Sequence, residues 1–188
     1  MIKRWLTVAA ALALLGAAAV RAADRQGTFE ILYGNYRVNE SLFDMLYGRS
    51  GALYGAALTA TLFSHFDFYL EAKIFSKQGR LSYTQEKTRF LLVPFSLGLR
   101  YRLPLGLVEP FLGAGIDYYI YSESNPIGTV VDHARGSHLL AGLSLRPGAN
   151  SPVALTGRLK WTTAKASHGG RTIDLGGLEL GAGLTFIF

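Results

Sequence analysis

The chain has 188 residues, a formal net charge of +6, 49% hydrophobic and 12% aromatic residues, 22 glycines and no cysteine. That length suits one domain, and the lack of cysteine excludes a disulfide framework and any thiolate metal site. Three of the positive charges, Lys3, Arg4 and Arg21, lie in an N-terminal leader that carries no acid. The mature chain is therefore only +3, and it has no basic run interleaved with aromatics of the kind that grips nucleic acid.

Residues 1–22 read as a cleaved signal peptide and 23–188 as the mature domain. Lys3 and Arg4 make a positive n-region, Trp5–Val20 is an almost unbroken apolar run, and Val20-Arg21-Ala22 fits a small-x-Ala site cut before Ala23. The run is shorter than the roughly 20 residues a helix needs to cross a bilayer. No later stretch is long and apolar enough to do so. A membrane-spanning chain of this kind must be a closed barrel, in which every strand's backbone groups are paired.

Eight strands follow from period-two alternation. They are expected at 27–38, 51–63, 67–77, 89–102, 109–121, 137–146, 152–165 and 173–188. Each has one apolar face, such as Leu91, Val93, Phe95, Leu97, Leu99 and Tyr101 on the fourth. The other face mixes polar, charged and small residues, such as Ser96, Gly98, Arg100 and Arg102. Pro94 lies inside the fourth strand, where a closed sheet wants an N–H, and a bulge or kink is expected there. Short connections (64–66, 103–108, 147–151) alternate with longer polar ones (39–50, 78–88, 122–136, 166–172), the pattern of short periplasmic turns and long outer loops.

The charged face also holds Gly34, Gly55, Gly98, Gly113, Gly115, Gly142, Gly181 and Gly183. Glycine belongs where large side chains need small neighbours inside a narrow barrel. The apolar face avoids charge through the middle of every strand. The fold class expected is all-β, a closed antiparallel eight-stranded up-and-down transmembrane β-barrel. Leu58, Leu70, Leu97, Ile116, Leu143, Leu159 and Leu184 should face lipid. Phe68, Tyr101, Phe186 and Phe188 at one end, with Tyr54, Tyr118 and Trp161 at the other, suit the two aromatic girdles.

Three segments carry a family resemblance: Phe95-Ser96-Leu97-Gly98-Leu99-Arg100-Tyr101, Glu109-Pro110-Phe111-Leu112-Gly113-Ala114-Gly115, and the closing Leu178–Phe188. Over essentially the whole mature chain the sequence resembles the small outer-membrane barrels of Gram-negative bacteria, the OmpA-, OmpX- and OmpW-like proteins. The resemblance implies an outer-membrane location, reached through the periplasm, and dependence on the barrel-assembly machinery. It also implies an assembly-signal role for Phe186 and Phe188.

The inward face places Glu30, Glu71, Lys73, Arg100, Asp117, Arg146, Arg158, Lys160 and Glu179 together, with Arg102. Charges at membrane depth must be paired or hydrated, so these form either a salt-bridge plug or a narrow ion path. Taking 166–171 as the last outer loop sets Arg158 directly opposite Glu179. His133, His138 and His168, with Ser122, Ser137, Ser167, Asp132 and Glu123, lie near the outer rim as candidates for a lipid A-modifying enzyme. Their spacing does not match the signatures of the outer-membrane lipid A enzymes, and it is not that of a metal site. Arg49, Lys77, Arg80, Lys87 and Arg89 border the first two long loops and suit phosphates of lipopolysaccharide.

The reading is a monomeric, non-enzymatic barrel without cofactor, in contact with outer-membrane lipid and lipopolysaccharide and not with nucleic acid. Its role is structural or surface-interaction, and no ligand can be named. The alternatives are an ion or small-solute channel and a lipid A-modifying enzyme.

Overall fold

The computed structural model describes residues 26–80, 86–126, 128–148, 150–168 and 171–188; the signal peptide lies outside them. The elements are β1 (Gly27–Val38), α1 (Ser41–Tyr47), β2 (Gly51–Phe63), β3 (Phe66–Arg80), β4 (Lys87–Arg102), β5 (Val108–Asn125), β6 (Gly128–Leu145), β7 (Val153–His168), β8 (Arg171–Asp174) and β9 (Gly177–Ile187). Each strand pairs antiparallel with its neighbour in sequence, and β1 closes on β9 from Thr28↔Ile187 to Val38↔Gly177. β8 and β9 are two pieces of one passage, since both pair with β7. The architecture is a closed, all-antiparallel eight-stranded barrel.

The alternation decides the two faces. Ile116 is 62% exposed and Leu180 67%, whereas Glu71 and Glu179 are each 4% exposed. Leu70, Leu143, Leu159 and Leu184 are exposed on the outside, and Leu58 and Leu97 are partly so, while Thr59 is buried within. A soluble barrel would show the reverse. On β4 the outward apolar row runs from Leu91 to Tyr101, which at about 3.4 Å per residue and a tilt near 40° makes a belt roughly 26 Å tall, the height of a bilayer's hydrocarbon.

Four expectations need correction. The segment 122–136 is not a loop. β5 runs to Asn125 and β6 starts at Gly128, with Asn125 paired to Gly128. The segment is polar because it stands above the apolar belt; it still carries Thr129, Val130 and Val131, a β-branched run suited to a strand. The segment 39–50 contains α1, which ends where Gly48 adopts a left-handed φ of 79° and donates its N–H to Asp44 O at 3.1 Å.

Pro94 makes no bulge. It pairs in register with Tyr119, and on the β3 side the ladder lapses between Ala72↔Phe95 and Phe75↔Leu92 with no shift. The missing N–H costs rungs, not register. Finally, β7 and the last passage meet in a hairpin with His168 paired to Arg171, tighter than the 166–171 loop expected. The register therefore slides by two residues, and Arg158 opposes Gly181 while Glu179 opposes Lys160. A slide of two keeps every side chain on its own face.

Candidate functional site

The barrel's interior concentrates chemistry-bearing side chains, and its short-turn half is charged. Six carboxylates, Glu30, Asp67, Glu71, Glu109, Asp117 and Glu179, face six cations, Lys73, Arg100, Arg102, Arg146, Arg158 and Lys160. All are buried except the half-buried Arg146. Glu71 is the hub. Its Oε1 lies 2.5 Å from Lys73 Nζ and 3.0 Å from Lys160 Nζ, and its Oε2 meets the Arg158 guanidinium. Glu179 sits 2.5 Å from Lys73 Nζ and 3.5 Å from Arg158 Nε, so Arg158 and Glu179 touch on the diagonal although they are not ladder partners.

A second group lies towards the short turns. Arg100 reaches Glu30 at 2.8 Å and Asp67 at 3.2 Å, and Arg102 reaches Asp67 at 2.9 Å. Glu109 accepts from Arg146 at 2.8 Å. A third group joins the first: Asp117 accepts from Lys160 at 3.0 Å and Ser96 Oγ at 2.6 Å, and stands 2.9 Å from His138 Nδ1. His138 Nε2 bonds to the Tyr69 hydroxyl. Asp67, Glu109, Tyr69 and Ser96 were not singled out in the sequence. Their signal was parity, since Asp67 and Tyr69 share the inward face with Glu71, and Glu109 shares it with Asp117.

Glycines make room for this filling. A Cβ at Gly142 would come within 2.2 Å of the Phe111 ring, and one at Gly98 within 2.7 Å of the Tyr69 hydroxyl. The rings of Tyr69 and Phe111 therefore reach over glycine slots, and Arg100 lies over Phe111 with 4.8 Å from Cζ to the ring centroid.

The loop half of the lumen is apolar. Tyr36, Leu53, Phe75, Phe90, Leu92, Tyr119 and Leu175 form one buried cluster, closed from above by Phe43 and Tyr47 of α1. Phe43 packs 5.1 Å from Phe90 and 6.0 Å from Phe75, centroid to centroid. Tyr47 OH donates to Glu123 Oε1 at 2.7 Å and bonds Thr88 Oγ1 at 2.9 Å. Burial, with the Glu123 carboxylate beside it, pushes the Tyr47 hydroxyl well above the usual tyrosine pKa. Where the two halves meet, a cavity of about 10 Å³ lies between Lys73, Lys160 and Glu179 below and Tyr36, Leu53 and Tyr119 above. That is room for about one water.

His133 and His138 do not form a rim cluster. His138 is on the inward face deep in the lumen, while His133 is exposed on the outside, stacked on Tyr118 at 5.7 Å. The barrel wall separates them, because residues five apart on one strand point to opposite faces. The side chains of Ser167 and His168 lie outside the described residues. Of the rim cations, Lys77 turns inward and donates to Ser50 O at 2.7 Å, and Arg49 lies 3.8 Å from Asp44. Arg80, Lys87 and Arg89 point outward.

A closed eight-stranded barrel is shared with solved structures. Neisserial surface protein A superposes with a TM-score of 0.65 at 17% identity, over 86% of this chain and 97% of that one. The fold is that of the small outer-membrane barrels. The N-terminal barrel domain of Pseudomonas aeruginosa OprF (TM-score 0.55, 18% identity, 88% and 100% covered) has it too. So does Ail, the attachment invasion locus protein of Yersinia pestis (0.56, 15%, 87% and 100%). No family model and no curated protein matches the sequence. This outer-membrane-type barrel thus keeps its architecture at identities where side-chain roles do not carry over.

Proposed function

We propose that this chain is a monomeric outer-membrane barrel with a structural or surface-interaction role and a lumen filled by its own side chains. The observation that carries this reading is the double filling of the interior. A paired network centred on Glu71 occupies one half, and an apolar cluster capped by α1 occupies the other. Buried, mutually paired charges hold a fixed arrangement, whereas an ion path needs hydrated ones. The neighbours' names point the same way, one being a surface protein and another an attachment and invasion protein.

The reading is non-enzymatic, since His133 and His138 lie on opposite sides of the wall. Outer-membrane lipid and lipopolysaccharide are the partners that the apolar belt and the cations above it suit. Phe186 and Phe188 serve as the signal read by the barrel-assembly machinery. The Phe188 carbonyl also accepts from the N–H groups of Gln26 and Gly27 at 2.9 and 3.1 Å, closing the barrel seam.

Planar-bilayer recording of the refolded protein tests the role: no steady conductance is expected, and reproducible single-channel steps would replace this reading with the channel. Deleting Phe188 should lower the amount of folded barrel in the outer membrane while export continues. Unchanged assembly would remove its signal role.

A further inference from the structure

The alternation that fills the lumen also sorts the charges at the loop end of the barrel. On β4, Thr88 and Phe90 point inward, and on β5 Glu123 does so, its carboxylate held by Tyr47. Lys87 and Arg89 point outward, and both are exposed. On β3 the register sets Arg80 directly opposite Lys87 and Gln78 opposite Arg89, so Arg80, Lys87 and Arg89 form one outward cluster. Like charges directly opposed across two strands destabilise a sheet. Among the described residues no carboxylate lies within ion-pair reach of the three. Glu86, next to Lys87 in sequence, is exposed and makes no such contact. Arg89 is steadied by Ser76, its Nε 3.4 Å from Ser76 Oγ.

The height of the cluster is as informative as its charge. Arg89 is the next outward residue after Leu91, the last of the apolar row on β4. On β3, Ser76, Gln78 and Arg80 follow Ile74, which is 54% exposed. The cations therefore stand where apolar belt gives way to headgroups. A second opposed pair, Arg135↔Lys165, stands above Leu139 and Trp161 on β6 and β7, but Lys165 also opposes Asp174 and is partly offset.

We propose that Arg80, Lys87 and Arg89 are a clamp for the phosphate of a phosphorylated glycolipid in the outer leaflet, whose acyl chains lie on Leu91, Val93 and Ile74. Two guanidinium forks and an ammonium present several charge-assisted donors to one phosphate, and the bound anion removes the repulsion between Arg80 and Lys87. The clamp rests on the outer-membrane reading above. Its test is direct lipid binding by the refolded barrel, which a conductance result leaves untouched.

The experiment places the whole barrel in maltoside micelles. It measures binding of bisphosphorylated lipid A, dephosphorylated lipid A, phosphatidylglycerol and inorganic phosphate by native mass spectrometry and thermal unfolding. Bisphosphorylated lipid A should bind and raise the unfolding midpoint; the other three should bind at least about tenfold more weakly, the scale of one lost charge-assisted hydrogen bond. The triple variant Arg80→Gln/Lys87→Gln/Arg89→Gln should lose about tenfold or more in lipid A affinity, and Arg49→Gln should lose none.

Lys87→Glu separates binding from folding. It should raise the midpoint without lipid, by turning a repulsive rung into an attractive one, and lower it relative to wild type once lipid A is added. Equal binding of lipid A by the triple variant or by Lys87→Glu would overturn the clamp. So would equal binding of the dephosphorylated lipid or of phosphatidylglycerol by the wild type. Tight binding of inorganic phosphate alone would make it a site for the free ion and overturn the glycolipid.

Discussion

On β3, Glu71 and Phe75 are two repeats of the alternation apart, both inward and both buried, yet they belong to different interiors. Glu71 is enclosed by Lys73, Arg158 and Lys160. Phe75 packs 5.7 Å from Tyr36 and 6.0 Å from Phe43, ring centroid to ring centroid. The charged half is held by specific pairs, so losing one member strands the others in a dry lumen. The apolar half is held by volume, so a loss there scales with the cavity left behind. The charged half should therefore be brittle and the apolar half graded, although both are buried.

Replacing the hub gives the largest effect. Glu71→Ala leaves three cations facing one another and should cost roughly 3–5 kcal/mol or prevent folding altogether, read from urea unfolding in vesicles. A loss under about 1 kcal/mol would mean that water hydrates these charges, and the contrast between the halves would collapse.

Phe43→Ala probes the other half. α1 has only seven residues, too few to persist without packing. Removing the Phe43 ring should cost about 3 kcal/mol of docking free energy. It should raise amide exchange in residues 43–47 while β3 and β4 stay protected. Global unfolding at lower urea would show instead that the cap and the wall form one cooperative unit.

A double-mutant cycle sharpens the comparison. Arg158→Ala and Glu179→Ala should each destabilise the barrel, and the double variant should lose less than the sum by about 1–3 kcal/mol, because the two touch each other and close a ring with Glu71 and Lys73. Additive losses would show that Arg158 and Glu179 are not coupled. The smallest effect belongs to Tyr47→Phe, which removes the bonds to Glu123 and Thr88 and keeps the ring. It should cost about 1 kcal/mol, again confined to α1 by exchange.

Fold and facing were legible because each rests on a local, repeated signal. Leu91 to Tyr101 against Ser96 to Arg102 states both the strand and its two environments, and a closed barrel is the only way to satisfy such strands in lipid. Inward charges such as Glu71, Lys160 and Glu179 were legible for the same reason, since parity survives even a register error. What parity does not encode is which inward residues meet. Arg158 and Glu179 were placed as ladder partners by a loop four residues too long and centred one residue too early, and the tight His168↔Arg171 hairpin makes Lys160 the partner of Glu179 instead.

Contacts across the barrel were further out of reach. Arg100 with Glu30, Lys160 with Asp117 and Tyr69 with His138 join strands that are not adjacent. The α1 cap went unseen because Ser41–Tyr47 is too short to show a helical period and owes its form to the apolar mouth beneath it. The sequence by itself determined the barrel, its apolar outside and the face on which each strand's charges lie, because alternation is a property of each strand alone. Only the tertiary structure decided who pairs with whom, where His138 points and that a helix closes the loop end, because closure brings distant strands within a side chain's reach and no single strand records its partners.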